Sequence, residues 1–138
     1  MTDQIKFGTD GWRGIIADDF TYANVRRVAQ GTAEYMKSRS ADPLAVVGYD
    51  CRFASEDFAR MVAEIFATNG VRTLIFDRPS PTQVASWTVI DRKATGAAIR
   101  QLNITKTTNS LESSIHTCVT DAPSTLRIPI SFVRCCAT

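Results

Sequence analysis

The chain has 138 residues, with 16 Lys plus Arg against 14 Asp plus Glu, a net charge of +2 at pH 7 and 44% hydrophobic residues. That length suits one domain with a real core, burying roughly 68–70% of its unfolded surface, and is short for two. Basic residues are scattered, which excludes the electrostatic footprint of a nucleic-acid binder, and the longest apolar run, residues 44–48, is far below the ~20 needed to cross a bilayer. Met1-Thr2-Asp3-Gln4 begins no signal peptide, so the cytoplasm is the expected location, with neither membrane nor nucleic acid as partner.

The first feature along the chain is Phe7-Gly8-Thr9-Asp10-Gly11-Trp12-Arg13-Gly14. Glycines allow positive φ and close approach of a ligand to the backbone, so successive N–H groups can converge on an anion. Arg13 adds a planar, permanently charged fork matched to phosphate oxygens. The plainer reading of the same residues is a glycine-rich turn entering a hairpin, with Arg13 solvated. Thr9, Gly11 and Arg13 are the candidate phosphate-binding residues. The pattern Gly8-x-x-Gly11-x-x-Gly14 is neither a Gly-x-Gly-x-x-Gly fingerprint nor a Walker A loop, which weakens a nucleotide-binding reading.

Ile15, Ile16 and Ala17 read as a short strand before the acidic turn Asp18-Asp19, which suits the positive end of a helix dipole better than a metal. Thr21 can cap a helix to about Arg39, with Val25, Val28, Ala29, Thr32, Ala33 and Met36 on its apolar face. Arg26, Arg27, Gln30, Glu34 and Lys37 form its solvated face. Leu44 to Gly48 is a continuous apolar run, as in a strand buried on both faces of a parallel sheet. Ser55 offers the next N-cap, and Phe58, Met61, Val62, Ile65 and Phe66 mark a second amphipathic helix ending at Asn69-Gly70. Val71 to Phe76 is a second buried strand, and strand–helix–strand in this order implies a right-handed crossover.

Ser80-Pro81-Thr82-Gln83 has the makings of a helix start: a capping hydroxyl, proline at the first helical position and glutamine three residues after the cap. Val84, Trp87 and Ile90 then share a face that reads as core packing, and Ala94 to Ile99 opens a third strand. From residue 99 the character changes. Residues 100–138 are rich in Thr and Ser and hold six charged side chains and three of the four cysteines. Leu126, Ile128, Ile130 and Phe132 alternate, but Pro129 interrupts them. No secure helix or domain boundary emerges there. Cys51, Cys118, Cys135 and Cys136 include no Cys-x-x-Cys pair, so free thiols are expected; Cys135, Cys136 and His116 lack the further ligands a soft metal needs.

Gly8-Thr9-Asp10-Gly11-Trp12-Arg13-Gly14 resembles the N-terminal signature of the α-D-phosphohexomutases, the family of phosphoglucomutase and phosphomannomutase. Val46-Val47-Gly48-Tyr49-Asp50-Cys51-Arg52 resembles that family's Val-Gly-x-Asp-x-Arg strand end, Pro79-Ser80-Pro81-Thr82 lies near its Pro-Thr-Pro element, and Ala94-Thr95-Gly96-Ala97 resembles the approach to its catalytic loop. The resemblance covers roughly residues 5–98. It implies phosphoryl transfer between C1 and C6 of a hexose phosphate through a phosphoserine in a Thr-Ala-Ser-His-Asn-Pro loop. It also implies Mg²⁺ held by an Asp-Gly-Asp-x-Asp motif in a later domain.

This sequence departs from that pattern where the chemistry should be. Ile99-Arg100-Gln101-Leu102-Asn103-Ile104-Thr105-Lys106 occupies the loop positions without the serine, the histidine or Asn-Pro. Thr105, Thr107, Thr108 and Ser110 are hydroxyls with no arguable base partner, and no Asp-Gly-Asp triplet occurs. No catalytic residue and no metal ligand is therefore assigned. The expected architecture is a three-layer α/β/α domain with a mixed, mainly parallel sheet and crossover helices, incomplete, spanning residues 1–98, followed by an atypical segment 99–138.

A frameshift, an unspliced intron, a truncated gene model or real divergence would each produce such an end. A Thr-Ala-Ser-His-Asn-Pro continuation in another reading frame around codons 96–106 would mark the frameshift. The expected function is that of a phosphohexomutase fragment inactive alone, its partner a phosphosugar in the intact enzyme. The competing reading is a non-catalytic anion-binding or protein-interaction module that associates through an unfinished sheet edge.

Overall fold

The computed structural model describes residues 5–7, 11–103, 112–119 and 133–136, with side chains as far as Ile99. In chain order the elements are β1 (Trp12–Ile15), α1 (Tyr22–Arg39), β2 (Leu44–Gly48), α2 (Ser55–Thr68), β3 (Arg72–Phe76), α3 (Thr82–Asp91), β4 (Gly96–Asn103), β5 (Glu112–Val119) and β6 (Val133–Cys136). The strands form one six-stranded sheet in the order β1-β5-β4-β2-β3-β6. β2 pairs in parallel with both β3 and β4, whereas β5 runs antiparallel to β4 and β1, and β6 antiparallel to β3. β1 therefore points the same way as β2, β3 and β4.

The two crossovers place helices on both faces. The step from β2 to β3 moves one way along the sheet, and the step from β3 to β4 returns past β2, so right-handed connections put α2 and α3 on opposite sides. α1 packs beside α2. The expected α/β/α layering and mixed sheet are thus present. β2 is buried along nearly its whole length, which is why its sequence is apolar without alternation. Among the described residues, Phe20, Met36, Phe66 and Ile99 are the largest side chains wholly withdrawn from water, each contributing roughly 1.5–3 kcal/mol relative to exposure.

α1 begins where expected, with Thr21 Oγ1 accepting from the Asn24 backbone N–H at 3.3 Å, and buries Val25, Val28, Ala29, Ala33 and Met36. Its polar face is not solely solvated. Gln30 and Asn69 exchange carboxamide hydrogen bonds of 2.9 and 2.8 Å, tying α1 to the end of α2.

Three local expectations are corrected. The strand read at Ile15–Ala17 lies earlier: β1 starts at Trp12, and Ala17 turns with φ 69°. The sequence signal failed because Ile16 and Ala17 are apolar yet belong to a reversal in which the Phe20 N–H bonds to Ile15 O at 2.8 Å. α3 starts at Thr82 with Pro81 as its cap residue, because Ser80 is held outside the helix by its N–H to Tyr49 O, 2.9 Å, and its hydroxyl to Arg78 O, 3.2 Å. The buried face of α3 is Ala85, Thr88 and Val89, while Val84, Trp87 and Ile90 are only partly covered. Small residues lie deepest there because α3 sits close against β2 and β4.

Residues beyond 99 supply more structure than their pattern announced. β4 runs on to Asn103, and β5 inserts between β1 and β4. β5 reads Glu-Ser-Ser-Ile-His-Thr-Cys-Val, with no clean alternation, and its pairing uses backbone groups that every non-proline residue carries. The alternating Leu126–Phe132 stretch lies outside the described residues.

Candidate functional site

The glycine-rich motif becomes the edge strand β1 and the approach to it. An isolated antiparallel bridge joins Phe7 to Trp12. Gly11 has φ 139°, a conformation that side chains rarely adopt, so glycine is required at the entry to β1. Thr9 lies outside the described residues. Gly14 is required for another reason: a Cβ built there would sit 2.8 Å from Asp19 Cβ and 3.2 Å from the Phe20 backbone N, because the turn after β1 folds back upon it.

Strand alternation then separates the neighbours of Gly14. Trp12 is buried and stacks on Phe20 with ring centroids 5.0 Å apart; Phe20 meets Phe58 edge-on at 5.1 Å, and Tyr22 stacks on Phe58 at 4.4 Å. This aromatic chain fastens β1 to the first turn of α2. Arg13 is exposed and, one residue on, faces the side of the sheet that carries α3. Among the described residues no ion pair or hydrogen bond of its side chain is seen.

The register fixes its height. Arg13 lies opposite Ser114, Ser114 opposite Gln101, and Ile99 opposite Gly48, the last residue of β2. Arg13 is thus two residues beyond the end of β2, toward the carboxyl ends of the parallel strands. In open α/β sheets this is the side on which ligands bind.

The β2–α2 turn occupies the same side. Asp50 is its centre: Oδ1 accepts from Ser55 Oγ at 2.7 Å and from the Arg52 backbone N–H at 3.4 Å, and Oδ2 lies 3.4 Å from Arg52 Nε. Ser55, expected to cap α2, is instead its first helical residue. Its hydroxyl faces Asp50, and the cap position falls to Ala54 at φ 54° without a side-chain cap bond. Tyr49 is buried, and its phenol is raised above the usual tyrosine value chiefly by desolvation, then by the charge of Glu56. Cys51 is a free, exposed thiol. The 3.2 Å bond at Ser80 and its N–H to Tyr49 bring the β3–α3 turn alongside.

Among the described residues no three His, Cys, Asp or Glu side chains converge so as to hold a metal. The donors among these described residues do not fit a Mg²⁺ centre. Nor is any helix among them long and apolar enough to cross a membrane.

The fold and this edge define an α/β domain whose glycine-framed edge strand carries Arg13 at the carboxyl side of its parallel strands. The family model for phosphoglucomutase/phosphomannomutase, alpha/beta/alpha domain I, matches residues 4–101. The chain belongs to that family. It is 42% identical over 65 residues to a probable phosphomannomutase of Haemophilus influenzae, covering 47% of this chain and 13% of that protein. To a phosphoribomutase of Saccharomyces cerevisiae it is 40% identical over 73 residues, covering 50% and 12% respectively. A crystal structure from Thermus thermophilus, described as that of a phosphomannomutase, superposes with a TM-score of 0.77 at 32% identity, over 86% of this chain and 26% of that one. The stretches of this chain that match thus span about an eighth of the length of these two curated relatives.

Proposed function

We propose that this chain is a first-domain fragment of a phosphohexomutase that supplies a phosphate-holding edge and does not turn over sugar phosphates alone. The observation that carries the reading is Arg13: exposed, set by β1 at the carboxyl side of the parallel strands, on a motif whose two glycines are enforced by φ and by close approach. In the intact enzyme such an arginine, with Thr9 and the N–H of Gly11, would orient a phosphosugar's phosphoryl group and offset its charge. Such a transfer depends mostly on positioning and electrostatics. Ile99–Lys106 offers no serine to receive that group, and the Mg²⁺ that the family resemblance implies would be held by residues other than these. A cytoplasmic setting fits the reading. Relatives named for mannose and ribose both match, so the proposal is for sugar phosphates as a class.

Two measurements on the purified chain test it. Inorganic phosphate should raise the unfolding temperature beyond matched sodium chloride, and Arg13→Ala should remove the gain; a gain unchanged by that substitution overturns the assignment. Glucose 1-phosphate should remain unconverted, and formation of glucose 6-phosphate would refute inactivity. The alternative of a binding module paired through its sheet edge would instead show as concentration-dependent association in size-exclusion chromatography.

A further inference from the structure

The β2–α2 turn contains a polar atom that the fold leaves unsatisfied. Arg52 Nη1 is buried and has no hydrogen-bond partner, while Nε of the same side chain is steered by Asp50 Oδ2 at 3.4 Å. An unpaired buried donor is costly, more so when it belongs to a charged group, and needs an explanation. The Arg52 side chain is 34% exposed, so it is anchored at one nitrogen and still open to solvent along part of its length. Asp50 is itself held from the far side by Ser55 Oγ at 2.7 Å, which leaves that carboxylate little freedom to swing toward Nη1.

Position supplies the second line of support. Arg52 follows β2 at its carboxyl end, and the Tyr22–Phe58–Phe20–Trp12 stack binds the first turn of α2 to β1, the strand that carries Arg13. Between β1 and β2 lie β5 and β4, so the two strands are separated by three interstrand steps, about 14 Å in all at the usual spacing. That separation is within the combined reach of two arginine side chains, so both can serve one phosphate-binding edge. A planar guanidinium pre-oriented by a carboxylate is the group best suited to a tetrahedral phosphate oxyanion.

We propose that Arg52, oriented by Asp50, is a second phosphomonoester contact at the carboxyl side of the sheet, its partly exposed side chain turning so that the enclosed, unpartnered Nη1 donates to a phosphate oxygen. The inference rests on the reading of that edge as a phosphate site and adds a residue to it.

The test titrates the full 138-residue chain with inorganic phosphate, then with glucose 1-phosphate, at ionic strength held constant with sodium chloride, and reads thermal unfolding and calorimetric affinity. Arg52→Ala should weaken phosphate binding about tenfold, the scale of a lost charge-assisted hydrogen bond, while Arg26→Ala on the outer face of α1 leaves it unchanged. Wild-type affinity in Arg52→Ala together with loss in Arg13→Ala would overturn the Arg52 contact and leave the Arg13 site standing. Loss in Arg52→Ala but not in Arg13→Ala would support Arg52 and refute Arg13. Absence of any phosphate effect beyond sodium chloride would overturn both. Should Arg52→Ala fail to fold by circular dichroism, Arg52→Lys decides: it keeps charge and stem but lacks the fork, so several-fold weaker binding supports the contact and unchanged binding overturns it. Tighter binding of glucose 1-phosphate than of inorganic phosphate would support a phosphosugar; equal binding would confine the contact to the phosphate group.

Discussion

Ser55 Oγ donates to Asp50 Oδ1 at 2.7 Å across the turn between β2 and α2, with Ser55 only 1% exposed. The serine that looks like a helix cap is a brace for a carboxylate. Ser55→Ala should therefore destabilise the chain by about 1.5–3 kcal/mol, the scale of a hydrogen bond to a charged group. In urea denaturation the loss should be smaller when Asp50→Asn is already present. Full additivity of the two substitutions would refute the coupling.

Two glycines should respond in opposite directions to alanine. At position 14 the added methyl meets Asp19 Cβ at 2.8 Å, so Gly14→Ala should cost about 1–3 kcal/mol as an overpacked contact. Gly31 lies inside α1 with nothing within 4 Å of an added Cβ, and Gly31→Ala should stabilise by roughly 0.5–1 kcal/mol through helix propensity. Thermal unfolding of the two variants separates the effects; a shift of the same sign in both would contradict the placement of one of them.

The carboxamide exchange between Gln30 and Asn69 should be measurable as coupling. Both residues are on the surface, so a double-mutant cycle with alanine should give about 0.5–1 kcal/mol, with Asn69→Ala alone costing more because the further acceptor of its Nδ2, Ile65 O at 2.8 Å, is part-buried backbone, whereas that of Gln30 Nε2, Glu34 Oε1 at 2.9 Å, is exposed. Zero coupling would mean the pair is exchanged freely for water.

Tyr49 sets an alkaline limit. Its folded value lies above the unfolded 10.0, mainly through desolvation, so its stabilising share is complete below pH 10 and is lost as pH rises through the higher folded value. The difference in stability between wild type and Tyr49→Phe should shrink or reverse above pH 10. Parallel pH profiles for the two proteins in chemical denaturation would rule this out.

Much of the architecture could be read from residue order. The apolar run Leu44–Gly48 coincides with β2, Thr21 caps α1, and α2 closes at Asn69, because each depends on local sterics, capping and burial that neighbouring residues encode. The site was legible as a motif and not as a place. Gly11 and Arg13 carried their chemistry in the sequence, but the height of Arg13 above the end of β2 passes through Ser114 and Gln101, in strands that show no decisive period. Arg52 was visible only as part of a family-like segment; its orphaned nitrogen had no sequence signal.

The sequence by itself determined the family, the βαβ order and the absence of a serine from Ile99–Lys106, since these depend on residue identity and short-range periodicity. Tertiary structure alone decided that Ser55 serves Asp50 rather than the helix end, that Gln30 reaches Asn69, and that β5 fills the place between β1 and β4. Backbone pairing and side-chain hydrogen bonds across distant segments are set by which groups are brought within reach, and that depends on the assembled sheet, not on the neighbours along the chain.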